Sequence, residues 1–199
     1  MLVAGIALLT GCSPRVSRAY SNHVTGAPEP SERPIAITGA GFDMEAAGNV
    51  SRATSDATWA GVLDTLNRYL DAATLTPLST GGPAGDLAPL FMSPAADRVT
   101  KGPDRAALID EGLPVTDELK LDAAVATLTA LAGTDGVVSV VSAALDLRLS
   151  GQANGAPVKV SRAGDLVLLP DGGTWKIDGY DIRATRTVGD AATTTTAHR

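Results

Sequence analysis

Between Leu119 and Arg186 the chain breaks three times, each time on strong turn chemistry: Asp135-Gly136, Asn154-Gly155 and Asp171-Gly172-Gly173. Asp-Gly and Asn-Gly pairs supply the positive-φ positions that tight hairpins need, so successive strands should run antiparallel as a meander. The spacing predicts four long strands over residues 119–131, 137–149, 157–169 and 174–186. Leu145, Leu147 and Leu149 alternate with Asp146 and Arg148, which gives that end of the sheet one dry and one wet face. A dry face has to be covered.

The cover is a helical pattern that begins near Asp56. Trp59, Val62, Leu63, Leu66, Leu70 and Ala73 fall at i, i+3, i+4, i+7, i+11 and i+14, one apolar stripe on a helix. Ser55 or Asp56 can cap its start, and Pro77 is expected to stop it. A Gly- and Pro-rich loop follows. Two shorter helices are expected, over 87–99 with Leu90, Phe91 and Met92 as bulk, and over 103–111 with Pro103 at its first position and Gly112 past its end. The fold class is therefore α+β, with one long and two short N-terminal helices packed on a curved, four-stranded antiparallel meander. Gly164 and Gly179 are expected to mark bulges that bend the sheet.

Composition narrows the partners. The 199 residues are 44% hydrophobic and 19% charged, as suits a globular domain with tails. Aromatic residues make up only 4%, so the core is built from small side chains. A net charge of −6 with no run of Lys or Arg excludes nucleic acid, whose phosphates require a basic surface. An anionic membrane surface would not attract the domain either, so membrane association needs a covalent or apolar device. The Ala-, Gly- and Asp-rich, Lys-poor usage fits a high-GC bacterium.

Met1 to Thr10 forms an apolar block too short to span a bilayer but of the length of a secretory signal core. It ends in Leu9-Thr10-Gly11-Cys12, after which the chain turns polar. Cys12 is the only cysteine, so it has no partner for an internal disulfide and stands as a modifiable thiol. The tetrad resembles the lipobox of bacterial lipoproteins, although no Lys or Arg precedes the apolar block. The resemblance implies removal of residues 1–11, a diacylglyceryl group on the Cys12 thiol and an acylated new amino terminus. The protein would then sit on the outer face of the bacterial cytoplasmic membrane, held by two or three acyl chains at about 0.8 kcal/mol per buried CH₂.

Residues 12–55 read as a flexible tether, since Pro14, Pro28, Pro30 and Pro34 interrupt any periodicity. Within it, Ile35 to Thr38 is a candidate short strand leading to Gly39-Ala40-Gly41. The third glycine of a dinucleotide loop is missing, with Met44 in its place, so these glycines read as a turn. At the other end, residues 187–199 are polar and Thr-rich and are expected to be a disordered tail.

Three helices followed by a bent antiparallel sheet, closing on Gly173-Thr174-Trp175-Lys176-Ile177-Asp178-Gly179-Tyr180, resemble the cone fold of the nuclear-transport-factor-two-like superfamily over residues 56–186. The resemblance implies a concave pocket, for which Trp59, Leu63, Leu66, Phe91, Leu147, Trp175 and Tyr180 are the candidate lining residues. It also implies self-association through the outer sheet face, where Val137-Val138-Ser139-Val140-Val141 is apolar on both sides. That end is expected to be covered by the N-terminal segment or by a second copy. Enzymes of this fold place an Asp–His or Tyr–Asp pair in the cone for proton transfer. Both histidines, His23 and His198, lie outside the expected domain, which leaves Tyr180 with Asp178 or Asp181. Lys159, Arg162, Lys176 and Arg183 are expected on the solvated outer face. No zinc, calcium or other cofactor pattern is present in the sequence. The expectation is a lipid-anchored envelope module without catalytic activity that engages a partner protein or a small apolar ligand. The alternatives are a cone-fold isomerase or dehydratase and a structural subunit of an envelope or transport assembly.

Overall fold

A computed structural model describes residues 35–199. The signal-like block, Cys12, His23 and most of the tether lie outside the described residues.

Among the described residues a strand, not a helix, comes first. β1 (Thr38–Ala46) precedes α1 (Arg52–Leu70), which continues through a π-helical turn, Asp71–Leu75, into α2 (Thr76–Thr80). A 3₁₀ turn at Ala88–Leu90, α3 (Ser93–Thr100) and the single turn α4 (Arg105–Leu108) follow. Four long strands close the meander, β2 (Asp117–Ala132), β3 (Val138–Ala153), β4 (Ala156–Asp171) and β5 (Thr174–Val188), and a sixth, β6 (Ala191–His198), is added to them. The sheet runs in the order β1-β2-β3-β4-β5-β6, open at both ends, with only β1 parallel to its neighbour.

The turn chemistry does what its residue types allow. Gly136 (φ 75°), the pair Asn154 and Gly155 (φ 50° and 79°) and the pair Gly172 and Gly173 (φ 58° and 85°) hold the left-handed conformations at the three hairpins. Two counts differ from the expectation of four strands. β1 lies inside the stretch assigned to the tether, and β6 is made from the Thr-rich stretch expected to be disordered. Thr is β-branched and lies comfortably in an extended chain, and Gly189 (φ 59°) supplies the turn that brings it back beside β5.

Pro77 deforms the long helix rather than ending it. Proline has no N–H and its ring crowds the carbonyl four residues back. The chain widens to a π turn just before it and runs on to Gly81, which adopts the left-handed conformation at φ 66°. Ser51, not Ser55 or Asp56, caps α1, its hydroxyl accepting from the Thr54 amide at 3.1 Å.

The buried face of α1 carries Thr58, Val62, Thr65, Leu66, Tyr69 and Leu70 against the sheet. Trp59 and Leu63 sit on the flank toward β1, half-buried. There the Trp59 ring meets Phe42 edge-on at 5.6 Å and lies directly over Gly39, where any Cβ would fall 1.8 Å from the indole. The Gly-x-Gly is therefore strand, not turn. Its first glycine makes room for an aromatic ring, and the ladder bulges between Gly39 and Gly41.

Gly179 forms the expected bulge. The β4–β5 register slips between Val167 and Leu168, leaving Asp178 as the extra residue and returning Tyr180 and Ile182 to the buried side with Ile177. Gly164 is no bulge. The register runs through it unbroken, and its φ of 136° lets the Asp181 carbonyl pass where a Cβ would sit. On the outer face the expected cover is absent among the described residues. β1 extends the sheet sideways, and Val125, Leu131 and Val137 are exposed.

Candidate functional site

On the side of the sheet that faces α1, where the sequence places a pocket, the protein's own side chains pack together. Leu66, Phe91, Leu147 and Tyr180 are each at most 2% exposed. Phe91 stands edge-on between Tyr69 and Tyr180, at 5.9 and 6.4 Å. Trp59, Leu63 and Trp175 are half-buried at the edges of the helix layer. The seven residues are thus core and rim.

At the centre of this packing is a carboxylate between two guanidiniums. Asp110 is fully buried, as is Arg162, with Arg186 at 8% exposure beside them. Arg162 donates through Nη2 to Asp110 at 2.8 Å, through Nη1 to the Thr74 hydroxyl at 2.9 Å and through Nε to the Ala107 carbonyl at 3.3 Å. Arg186 donates through Nε to the other Asp110 oxygen, through Nη2 to the Ile109 carbonyl and through Nη1 to Thr195. Thr74 donates to Asp110 at 2.8 Å. The Arg162 guanidinium lies 5.5 Å from the centre of the Tyr69 ring, a cation–π distance. No buried side-chain nitrogen or oxygen among the described residues is left unpaired. Burial works against charge on Arg162, yet the Asp110 carboxylate outweighs it and holds its pKa above the ordinary value.

A second carboxylate sits beside this one. Asp104 accepts from Arg98 through both oxygens and from the Tyr180 hydroxyl at 2.6 Å. Burial raises the Asp104 pKa, but the hydrogen bonds from Arg98 and Tyr180 prevail, and the carboxyl lies below its usual range. Burial and the hydrogen bond to Asp104 push Tyr180 up to about 12. Burial does the same to Tyr69, whose hydroxyl donates to the Leu108 carbonyl at 2.8 Å. Proton transfer at neutral pH calls for groups poised near 7. Here the Asp104 carboxyl is shifted down and the Tyr180 phenol up, both away from neutrality.

Tyr180 therefore has a carboxylate partner, Asp104, which is neither of the two expected, Asp178 and Asp181. Asp178 lies near Arg199 at 3.9 Å, and Asp181 is exposed, in register with His198. Arg162 is also relocated, from the expected outer patch to the centre of the core. The signal was in the strand itself, because Val158, Val160, Arg162, Gly164, Leu166 and Leu168 share one parity and hence one face. Arg186 follows Ile182 and Ala184 by the same rule. Asp110 carried no comparable signal, since its position depends on a loop.

A groove of about 570 Å³ runs between the solvent side of α1 and the β4–β5 hairpin, floored by Ala53, Ala57 and Gly61 and walled by Trp175. Gly61 lets the indole approach, since a Cβ there would lie 2.8 Å from Trp175 Cδ1. The Thr65 hydroxyl donates to the Trp175 carbonyl at 2.9 Å, tying the hairpin to the helix. No described helix is long and apolar enough to cross a membrane. Compared with known proteins, the chain matches no family model, no curated protein and no solved structure at a significant level.

Proposed function

We propose that this chain is a lipid-anchored extracytoplasmic docking module of the bacterial cell envelope, a lipoprotein acylated at Cys12 that carries a nuclear-transport-factor-two-like cone domain. One observation carries the docking part. The side of the sheet where an enzyme of that fold would hold substrate is occupied by the protein's own Asp110, Arg162, Arg186, Phe91 and Tyr180. A partner protein is then engaged from outside, through exposed surfaces such as the β2–β3 end of the sheet and the Trp175 groove. The close packing of this side favours a partner protein over a small apolar ligand, and the pairing of Asp104 with Arg98 speaks against the enzyme alternative. The cone reading is supported by the long helix across a meander sheet and by the bulge at Gly179. Anchoring rests on the sequence Leu9-Thr10-Gly11-Cys12 alone.

The test is expression of the full chain in a bacterium that processes lipoproteins, followed by intact-mass measurement of the membrane fraction. The expected product begins at Cys12 and carries the mass of the added acyl groups, and Cys12→Ser releases the protein from the membrane. A bare Cys12 in a membrane-free protein rejects the anchor.

A further inference from the structure

We propose that two copies of this chain pair antiparallel along β6, joining their sheets edge to edge. The β5–β6 ladder shows which backbone groups are available. Tyr180 and Arg199 exchange both hydrogen bonds, at 2.7 and 3.2 Å. In an antiparallel ladder such pairs recur every second residue, so Ile182 with Ala197, Ala184 with Thr195 and Arg186 with Thr193 bond in the same way. The amides and carbonyls of Ala192, Thr194, Thr196 and His198 therefore point to the open side, where no described strand lies.

Exposed edges normally carry a device that prevents pairing: a charge, a proline, a bulge or a cover. β1, the other edge, has two of these, the Gly39/Gly41 bulge and the charges of Asp43 and Glu45. β6 has none. Its sequence Ala-Ala-Thr-Thr-Thr-Thr-Ala-His contains no proline, lysine, arginine or carboxylate, and its ladder with β5 has no register shift. Four consecutive β-branched residues favour the extended form that an incoming strand requires.

The row also selects the occupant. A two-fold axis through Thr195 sets Thr194 against Thr196 of the second copy, and Ala192 against His198. Thr–Thr pairs of this kind are favourable across strands, and no charge meets its like. Recognition of a foreign strand draws its selectivity from pockets beside the edge. On the inner side of β6, Thr195 is already engaged, bonding the Ala106 carbonyl and Arg186. A uniform row of threonines reads alike in both directions, as an isologous contact demands. The contact is small, well below the roughly 1,600 Å² of a standard interface, so pairing depends on concentration. It moves self-association from the sheet face to the sheet edge and does not depend on the anchor.

The experiment is sedimentation velocity on the full chain carrying Cys12→Ser, with concentration raised into the hundreds of micromolar. The expected result is a monomer–dimer equilibrium that Thr194→Lys/Thr196→Lys abolishes while the circular dichroism spectrum stays unchanged. Both side chains face solvent, and in the dimer they would set lysines directly opposite one another. A second readout needs no variant: exchange of the Ala192, Thr194, Thr196 and His198 amides should slow as concentration rises. A monomer at every concentration overturns the proposal. So does a dimer that survives the lysines, or one whose β6 amides exchange as in the monomer, because that contact lies on the sheet face.

Discussion

The Asp110 amide donates to the carbonyl of Ala73 at 2.9 Å, the carbonyl that an ordinary residue at position 77 would have claimed for the helix. Pro77 has no hydrogen to give it. The π turn that absorbs the proline also carries Thr74 to the Asp110 carboxylate. One proline thus supplies both a free acceptor and a hydroxyl to the buried polar centre, and the 104–110 loop closes over the helix by using them.

If that centre holds the loop between helix and sheet, its carboxylate matters more than its hydroxyl. Asp110→Ala leaves two buried guanidiniums without a counter-charge and should cost about 3–5 kcal/mol. Thr74→Val leaves one donor and one acceptor unmet and should cost about 1–3 kcal/mol. Urea denaturation at neutral pH measures both. A cost under 1 kcal/mol for Asp110→Ala would contradict the assignment.

Acid should weaken the fold through Asp104. Its native pKa is below the ordinary carboxylate value, so its contribution is complete above about pH 4 and is lost as pH falls through the native value. Asp104→Asn should flatten the acid limb of the stability curve. An acid limb identical to that of the wild type would rule Asp104 out as its source.

Alkali should act through the tyrosines. Tyr69 and Tyr180 are raised from 10.0 to about 12. A group that holds its proton more tightly when folded adds stability below the unfolded value, and that stability drains away as pH climbs through the native one. Stability should therefore decline between about pH 10 and 12. Absorbance of tyrosinate should show two of the three tyrosines ionising together with unfolding. Early titration of all three would place the phenols in water.

Gly39 tests the approach of β1 to the long helix. A side chain there must displace the Trp59 ring or the strand, at about 1–3 kcal/mol. Gly39→Val in a Trp175→Phe background should shift the remaining tryptophan emission to the red. Unchanged emission would mean that Trp59 does not pack on this strand.

The legible part of the fold was the part written in local chemistry. The three glycine turns and the alternation of Leu145, Leu147 and Leu149 set out four strands with ends close to those observed. The helical stripe from Val62 to Leu70 found its buried face. The strand expected over Ile35–Thr38 begins only at Thr38 and runs on through glycines that look like a turn, and the Trp59 ring, about twenty residues away, explains the first of them. β6 was missed because polar threonines carry no apolar alternation. The buried centre was half legible. Arg162 and Arg186 lie on the inward parity of their strands, whereas Asp110 and Asp104 depend on a loop whose path follows from the distortion at Pro77.

The central claim is that the protein's own side chains fill the interior and that binding happens outside. Native mass spectrometry of the protein, mildly extracted from the cells that produce it, tests this most directly. The account predicts the mass of the polypeptide from Cys12 with its acyl groups, and no small molecule lost on gentle activation. A retained ligand that is released together with unfolding of the Asp110 centre would contradict it.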